Sequence, residues 1–364
     1  MAKHWLTVIG GGLAGLSLCD EVLQTFAAAG KPLPGKILLL EQRSHFSNDK
    51  TYGFFDRHPP ARIASQQYPA WCFSCLPPGA MKQSAMNKKP TGVSHAEQVG
   101  THYSYYRISA LDAINDLLQR LQSDANMEIA LGVDANSVAI NSELTVDTRP
   151  CGPSDMRIKQ SFVGVEVELA QPINPSVARL MTNMRMVNGR FTFDYILPLA
   201  ANRALVEVTQ FAREPASLIE IEELLNECLQ QLGVSSAPSR SEGAILPMGL
   251  KRTFSDRLAS QQIRTATGYG YLETKRWAQR NARAIFAGKP VLYDEQPPLL
   301  KWFDARLLKV IEQQPEKLPE IFMSMASHLS ADAFAQFIST PAPLNLLKVM
   351  AAVPKRTFLR TLYA

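Results

Sequence analysis

The 364-residue chain, with 46% hydrophobic and 20% charged side chains, has the composition of an ordinary globular protein able to bury two or three packed units. Its formal net charge of +5 comes from Lys and Arg scattered among acidic residues, which excludes the concentrated basic footprint of a nucleic-acid binder and leaves an anionic membrane surface as a compatible neighbour. No apolar run reaches the roughly 18 residues needed to cross a bilayer, and the first one ends in glycines, the wrong layout for a signal peptide.

The first predicted element is a strand from Trp5 to Ile9, followed by glycines and a helix whose apolar positions run from Leu13 through Leu23 to Phe26. After a loop from Gly30 to Gly35, the run Ile37 to Leu40 reads as a buried parallel strand ending at Glu41. Residues 44–102, rich in Pro, Ser, Gln and His, show little periodicity and read as a long excursion of the kind that covers or shapes a site. Ser109 is placed to cap a helix from Ala110 to Leu121, and an alternating stretch follows from Ile129 to Val146. From Phe162 to Phe211 the alternation is that of a second sheet, with Val163, Val165 and Val167 on one face. Amphipathic helices are expected at Ser217–Leu232 and Trp277–Phe286, and proline-broken helical runs from Leu300 onward.

Five cysteines, an odd number, point to reduced thiols in a cytoplasm. Cys72 and Cys75 form a lone C-x-x-C without the further ligands of a zinc site, so packing beside Trp71 and Phe73 is expected and a metal is not.

Gly10, Gly12 and Gly15 form G-x-G-x-x-G between the first strand and the first helix. The first glycine permits a tight turn, the second lets a pyrophosphate approach the backbone, and the third lets helix and strand pack closely. The helix N-terminus, with Leu13 and Ala14, offers amide donors and partial positive charge to phosphates. Glu41, at the end of the next strand, is placed to accept from ribose hydroxyls. By analogy with flavoprotein layouts, in which such a unit opens the chain and precedes an excursion and an inserted sheet, FAD is expected rather than NAD.

Several segments then recur in a specific order: DKTYGFF at Asp49–Phe55, YSYYRI at Tyr103–Ile108, QSFVGVEV from Gln160, the run Met184–Phe211 containing LVEVT, EGAILPMG from Glu242, and ATGYG at Ala266–Gly270. Together they resemble the flavin-dependent lycopene cyclase family. The resemblance implies an α/β fold with an FAD/NAD(P)-binding Rossmann-like domain of glutathione-reductase type, an inserted antiparallel β substrate domain and a helical C-terminal tail. It divides the chain into an FAD-binding domain (1–75, 100–160 and 240–290), a substrate domain (76–99 and 161–239) and a helical region (291–364). It further implies reduced FAD acting without net redox change, a lipophilic acyclic carotenoid as substrate, Glu207 as the catalytic acid or base, and Arg107, Thr267, Gly268 and Tyr269 as cofactor-side residues. The chain departs from the family pattern where Val208 replaces a second acid after Glu207, leaving one expected carboxylate. Ile263-Arg264 stands where the family has a glycine-rich stretch, and Asp147-Thr148-Arg149-Pro150 replaces D-x-R-G.

Ring formation from an isoprenoid end begins with alkene protonation and ends with proton loss, and a glutamate desolvated on an apolar strand suits both. Alternation sets Glu207 opposite Val206 and Val208, whereas Glu166 and Glu168 read as solvent-facing. Phe191, Phe193 and Tyr195 share a face that suits either a polyene tunnel or a packed core, and Asp194 is unassigned. In the tail, Lys301, Trp302, Phe303, Arg306 and Lys309 combine apolar and basic character, as peripheral membrane helices do. A flavin oxidoreductase or monooxygenase of the same fold, and a flavoprotein relative that has lost catalysis, remain alternative readings.

Overall fold

The computed structural model describes residues 3–76, 94–234, 236–294 and 296–360. The chain opens with β1 (His4–Ile9), α1 (Leu13–Ala28) and β2 (Ile37–Glu41), joined in a parallel sheet by β8 (Met127–Leu131) and β9 (Ser142–Asp147) in the order β8-β2-β1-β9. Its central strands are buried on both faces: Leu6, Val8, Ile37 and Leu39 on one side and Thr7, Leu38 and Leu40 on the other are all buried. That is why they read as continuous apolar runs rather than alternating ones. The Ile129–Val146 stretch thus supplies two strands to this sheet. Helix α1 packs against α2 (Ala110–Gln122) and α4 (Tyr271–Phe286). Ser109 caps α2 by accepting from the amide of Asp112 at 3.3 Å.

A seven-stranded sheet forms the second layer, in the order β14-β10-β13-β12-β11-β5-β6. Its strands are β5 (Ala70–Cys75), β6 (Ser94–Val99), β10 (Met156–Glu168), β11 (Val177–Val187), β12 (Arg190–Ala200), β13 (Arg203–Ala212) and β14 (Arg240–Leu250). Neighbours are antiparallel except β5 and β11. One face carries Val165, Val167, Val206 and Val208 against α3 (Leu218–Gln231), which opens with a capping box between Ser217 and Glu220. The opposite face, with Phe191, Phe193, Leu205 and Phe211, shares a core with the tail helices α5 (Pro298–Gln313), α6 (Leu318–His328), α7 (Ala331–Ser339) and α8 (Pro343–Ala352). The last helix is α9 (Lys355–Arg360).

The structure departs from expectation in three places. The excursion at 44–102 contains β3 (Thr51–Asp56) and β4 (Gln66–Tyr68), which pair with β7 (Ser104–Ser109), as well as β5 and β6 of the large sheet. These strands are short and paired to distant partners, so no local period betrays them. Within it, 77–93 lies outside the described residues. Segments 70–75 and 240–250, expected with the dinucleotide-binding unit, are hydrogen-bonded into the large sheet instead. Helix α4 begins at Tyr271, six residues before Trp277; the left-handed turn at Gly268 (φ 71°) precedes it, and Thr274 Oγ1 donates to the Gly270 carbonyl at 2.7 Å. All five cysteines are unpaired, and among the described residues no helix is long and apolar enough to cross a membrane.

Candidate functional site

The glycine loop divides its labour as the spacing requires. Gly10 sits at φ 99°, a conformation that a Cβ disfavours. A Cβ on Gly15 would lie 3.2 Å from the Gly10 carbonyl carbon and closer still to its oxygen, so bare backbone is what lets α1 meet β1. At Gly12 a Cβ would meet nothing within 4 Å: the space in front of the helix N-terminus is open. Gly12, Leu13 and Ala14 line one end of a cavity of about 990 Å³, near the upper end of the roughly 300–1,000 Å³ of small-molecule sites.

Glu41 is buried beside this loop, where its Oε2 accepts from the Gly11 amide at 2.6 Å and its Oε1 accepts from Arg43 Nε at 2.9 Å. Burial opposes its ionisation, but the Arg43 hydrogen bonds and charge, with the Gly11 amide, outweigh that and hold the carboxyl below its usual range. Thr267, Gly268 and Tyr269 line the same cavity, as do Thr148 and Pro150 of the altered D-x-R-G segment. Thr148 Oγ1 donates to the Ile9 carbonyl at 2.8 Å, fastening that segment to the glycine turn. Arg264, in the stretch that departs from the family pattern, is buried; it pairs with Asp304 at 3.3 Å and donates to the Phe337 carbonyl, tying the Thr267 turn to the tail.

Two buried oxygens of cavity-lining residues, Gln160 Oε1 and Gln262 Oε1, have no hydrogen-bond partner. A polar ligand with N–H donors fits them, and the open space at Gly12 fits a phosphate group. Arg107, expected on the cofactor side, is placed differently: its Nη2 donates to Glu166 at 2.8 Å, and it is not part of the cavity wall.

Glu207 lies on β13 and faces the cavity, buried, with Val206 and Val208 turned to α3 as alternation requires. Its register neighbours are Tyr195 on β12 and Gly164 on β10, and Gly164 is in turn opposite Glu242 on β14. Glu207 and Glu242 thus stand on either side of Gly164, each one strand away from it. Burial first, then the charge of Glu242, raise the Glu207 carboxyl well above its usual value. Glu242 Oε2 accepts from Thr51 Oγ1 at 2.9 Å and from Arg240 Nη1. Arg240 Nε also donates to Glu166 at 3.0 Å.

Two guanidiniums, Arg107 and Arg240, therefore serve three carboxyl groups, and the charges balance when Glu207 holds its proton. Beside Glu207, Tyr105 and Tyr195 share a hydroxyl hydrogen bond of 2.5 Å, and the Tyr269 hydroxyl lies 3.4 Å from that of Tyr105. All three are held protonated by burial, Tyr269 being pushed up to about 12. Phe193, Leu180, Phe322 and Met325 extend the wall into the tail, where Leu347, Met350 and Trp302 reach the surface.

The family described as "Lycopene cyclase protein" matches residues 6–306. The chain belongs to that family. None of the curated proteins matches. Among solved structures, a geranylgeranyl bacteriochlorophyll reductase-like protein from Thermoplasma acidophilum is 13% identical, with a TM-score of 0.58 and coverage of 99% of this chain and 98% of that one. A mutant of the halogenase PltM in complex with FAD is 10% identical, with a TM-score of 0.52, covering 100% of this chain and 86% of that one. These likenesses give the fold: a Rossmann-type architecture carrying a second sheet.

Within this member of the lycopene cyclase family, two expectations need correction. A single carboxylate was expected because Val208 follows Glu207; the second one comes from Glu242, 35 residues on in sequence and two strands away in the sheet. Glu166, read as solvent-facing, is bound by Arg107 and Arg240 and is largely buried. Glu168 is exposed as expected. The signal for Glu242 was a glutamate opening EGAILPMG, but only strand order reveals its partner. Asp194 is a buried ion-pair partner of Arg185 at 2.7 Å, away from the cavity.

Proposed function

We propose that this protein binds FAD and converts the acyclic end of a carotenoid into a ring by proton-initiated, non-redox cyclisation. The observation that carries the reading is a buried carboxyl, Glu207, whose proton is favoured by its surroundings and which faces a largely apolar cavity continuous with the glycine loop. Gly12, Leu13 and Ala14 would hold the pyrophosphate, Glu41 the ribose, and the Thr267–Tyr269 turn with Gln160 the ring system. Reduced FAD, when bound, supplies an electron-rich surface beside a developing cation.

The chain's own residues do the rest. Phe193, Leu180 and the tail helices exclude water and hold the polyene. Glu207 delivers a proton to the terminal alkene, an internal alkene attacks the resulting cation, and a carboxylate takes up the proton released at the end. Aromatic faces at Tyr195 and Phe193 border the same space and favour positive charge. The exposed Trp302, Leu347, Met350 and Lys355 line the tail end of the cavity, and the exposed Leu344, Lys348 and Arg356 lie on the same terminal helices as Leu347 and Lys355. That composition suits peripheral contact with an anionic membrane from which a hydrocarbon is drawn.

Coexpression with a lycopene-producing pathway in bacteria tests the reading. Pigment chromatography is expected to yield a cyclic product of unchanged mass. A product gaining two hydrogens would instead assign a reductase of the same fold, and unaltered lycopene beside a flavin-loaded protein would overturn the cyclisation.

A further inference from the structure

We propose that Glu242 is the positioning partner of Glu207, the two carboxyl groups meeting over the bare backbone of Gly164 and sharing one proton that resides on Glu207. Three observations converge. Glu207 and Glu242 stand on strands that flank β10, both in register with Gly164. A Cβ at Gly164 would lie 3.2 Å from Glu207 Cβ and closer still to its Cγ, so glycine is what keeps the path between the carboxyls open. Thr51 and Arg240 both donate to Oε2 of Glu242, which fastens the negative charge there and leaves the proton to Glu207.

Its part in turnover rests on the reading of Glu207 as the acid of ring closure. The Glu207 O–H bond breaks as a C–H bond forms at the alkene carbon, and the electron pair of a second alkene closes the ring. For that interval two carboxylates face each other across Gly164. Their repulsion makes the pair a strong base, so the proton lost from the carbon beside the ring cation returns to it and restores the starting charge. Glu242 thus acts through Glu207: it keeps the acid protonated before the reaction and sharpens the base after it. The other groups facing the pair are Arg240 on β14, Arg107 on β7, Glu166 on β10, Tyr195 on β12 and Tyr269 before α4.

The test follows the carboxyl proton in flavin-loaded protein by infrared difference spectroscopy across pH, beside the pH profile of cyclisation. Wild type is expected to show a protonated-carboxyl band that persists well above the ordinary carboxyl range and vanishes in Glu207→Gln. Glu242→Gln removes the opposing charge and frees Arg240, so the band should titrate at least about one pH unit lower, with the alkaline limb of activity moving alongside. Thr51→Val withdraws a donor from the Glu242 charge at nearly constant volume and should move both in the opposite direction, upward. This second variant keeps the test alive where Glu242→Gln does not retain flavin. Titration unmoved, or moved in the same direction by both substitutions, overturns the shared proton. The raised titration with these opposite shifts, seen in a protein that cyclises nothing, would remove the functional reading and leave the pair standing, whereas a titration in the ordinary carboxyl range would overturn the pair.

Discussion

Replacing Glu207 by Gln should make the protein more stable as well as inactive, and the gain should grow with pH. The side chain is buried, only 8% exposed, and its proton is favoured by burial and by Glu242, with Arg240 and Arg107 opposing. An unfolded glutamate ionises near pH 4.3. Because the folded value is raised above this, the group's contribution to stability is complete below the unfolded value and is lost as pH rises toward and through the folded one. Between the two values each pH unit removes about 1.4 kcal/mol. Gln has nearly the same volume, can donate to Glu242, and carries no such dependence. Urea unfolding of both proteins, followed by the fluorescence of buried Trp71 and Trp277 at matched flavin content, should therefore show a difference that widens from pH 5 to pH 7. A constant difference at all pH values would refute the raised carboxyl and, with it, the argument that Glu207 stores a proton.

Gly12→Val should fold, since a Cβ there meets nothing and φ is −76°, yet purify without flavin absorbance; retained flavin would remove the phosphates from this loop. Gly15→Ala should instead lower the unfolding midpoint, by about 1–3 kcal/mol of overpacking against Gly10, and an unchanged midpoint would contradict the close helix–strand approach. Sedimentation with anionic vesicles should be strong at low salt and fall at high salt. Leu344→Ser combined with Leu347→Ser should weaken it further, and absence of wild-type binding at low salt would withdraw the membrane contact.

Local rules made part of this molecule legible from its residues. The glycine spacing between an apolar strand and a helix, the caps at Ser109 and Ser217, and the strict alternation around Glu207 all act within a few residues, so sequence determined the nucleotide-type turn, two helix starts and that Glu207 lies on the face opposite Val206 and Val208, while only the structure turned that face inward to the cavity. Family segments carried the fold class further, because they mark positions that a long chain brings together. Only the tertiary structure decided which distant groups meet. Glu242 becomes the partner of Glu207 because β14 and β13 flank β10 and because Gly164 leaves a gap between them. Glu166 is drawn out of solvent by Arg107 and Arg240, which arrive from β7 and β14. The excursion after β2 contributes strands because its hydrogen-bond partners, β7 and β11, lie elsewhere in the chain. Strand order is a property of long-range pairing, and the charge state of a buried carboxyl depends on every group packed around it; neither is written in the period of a segment.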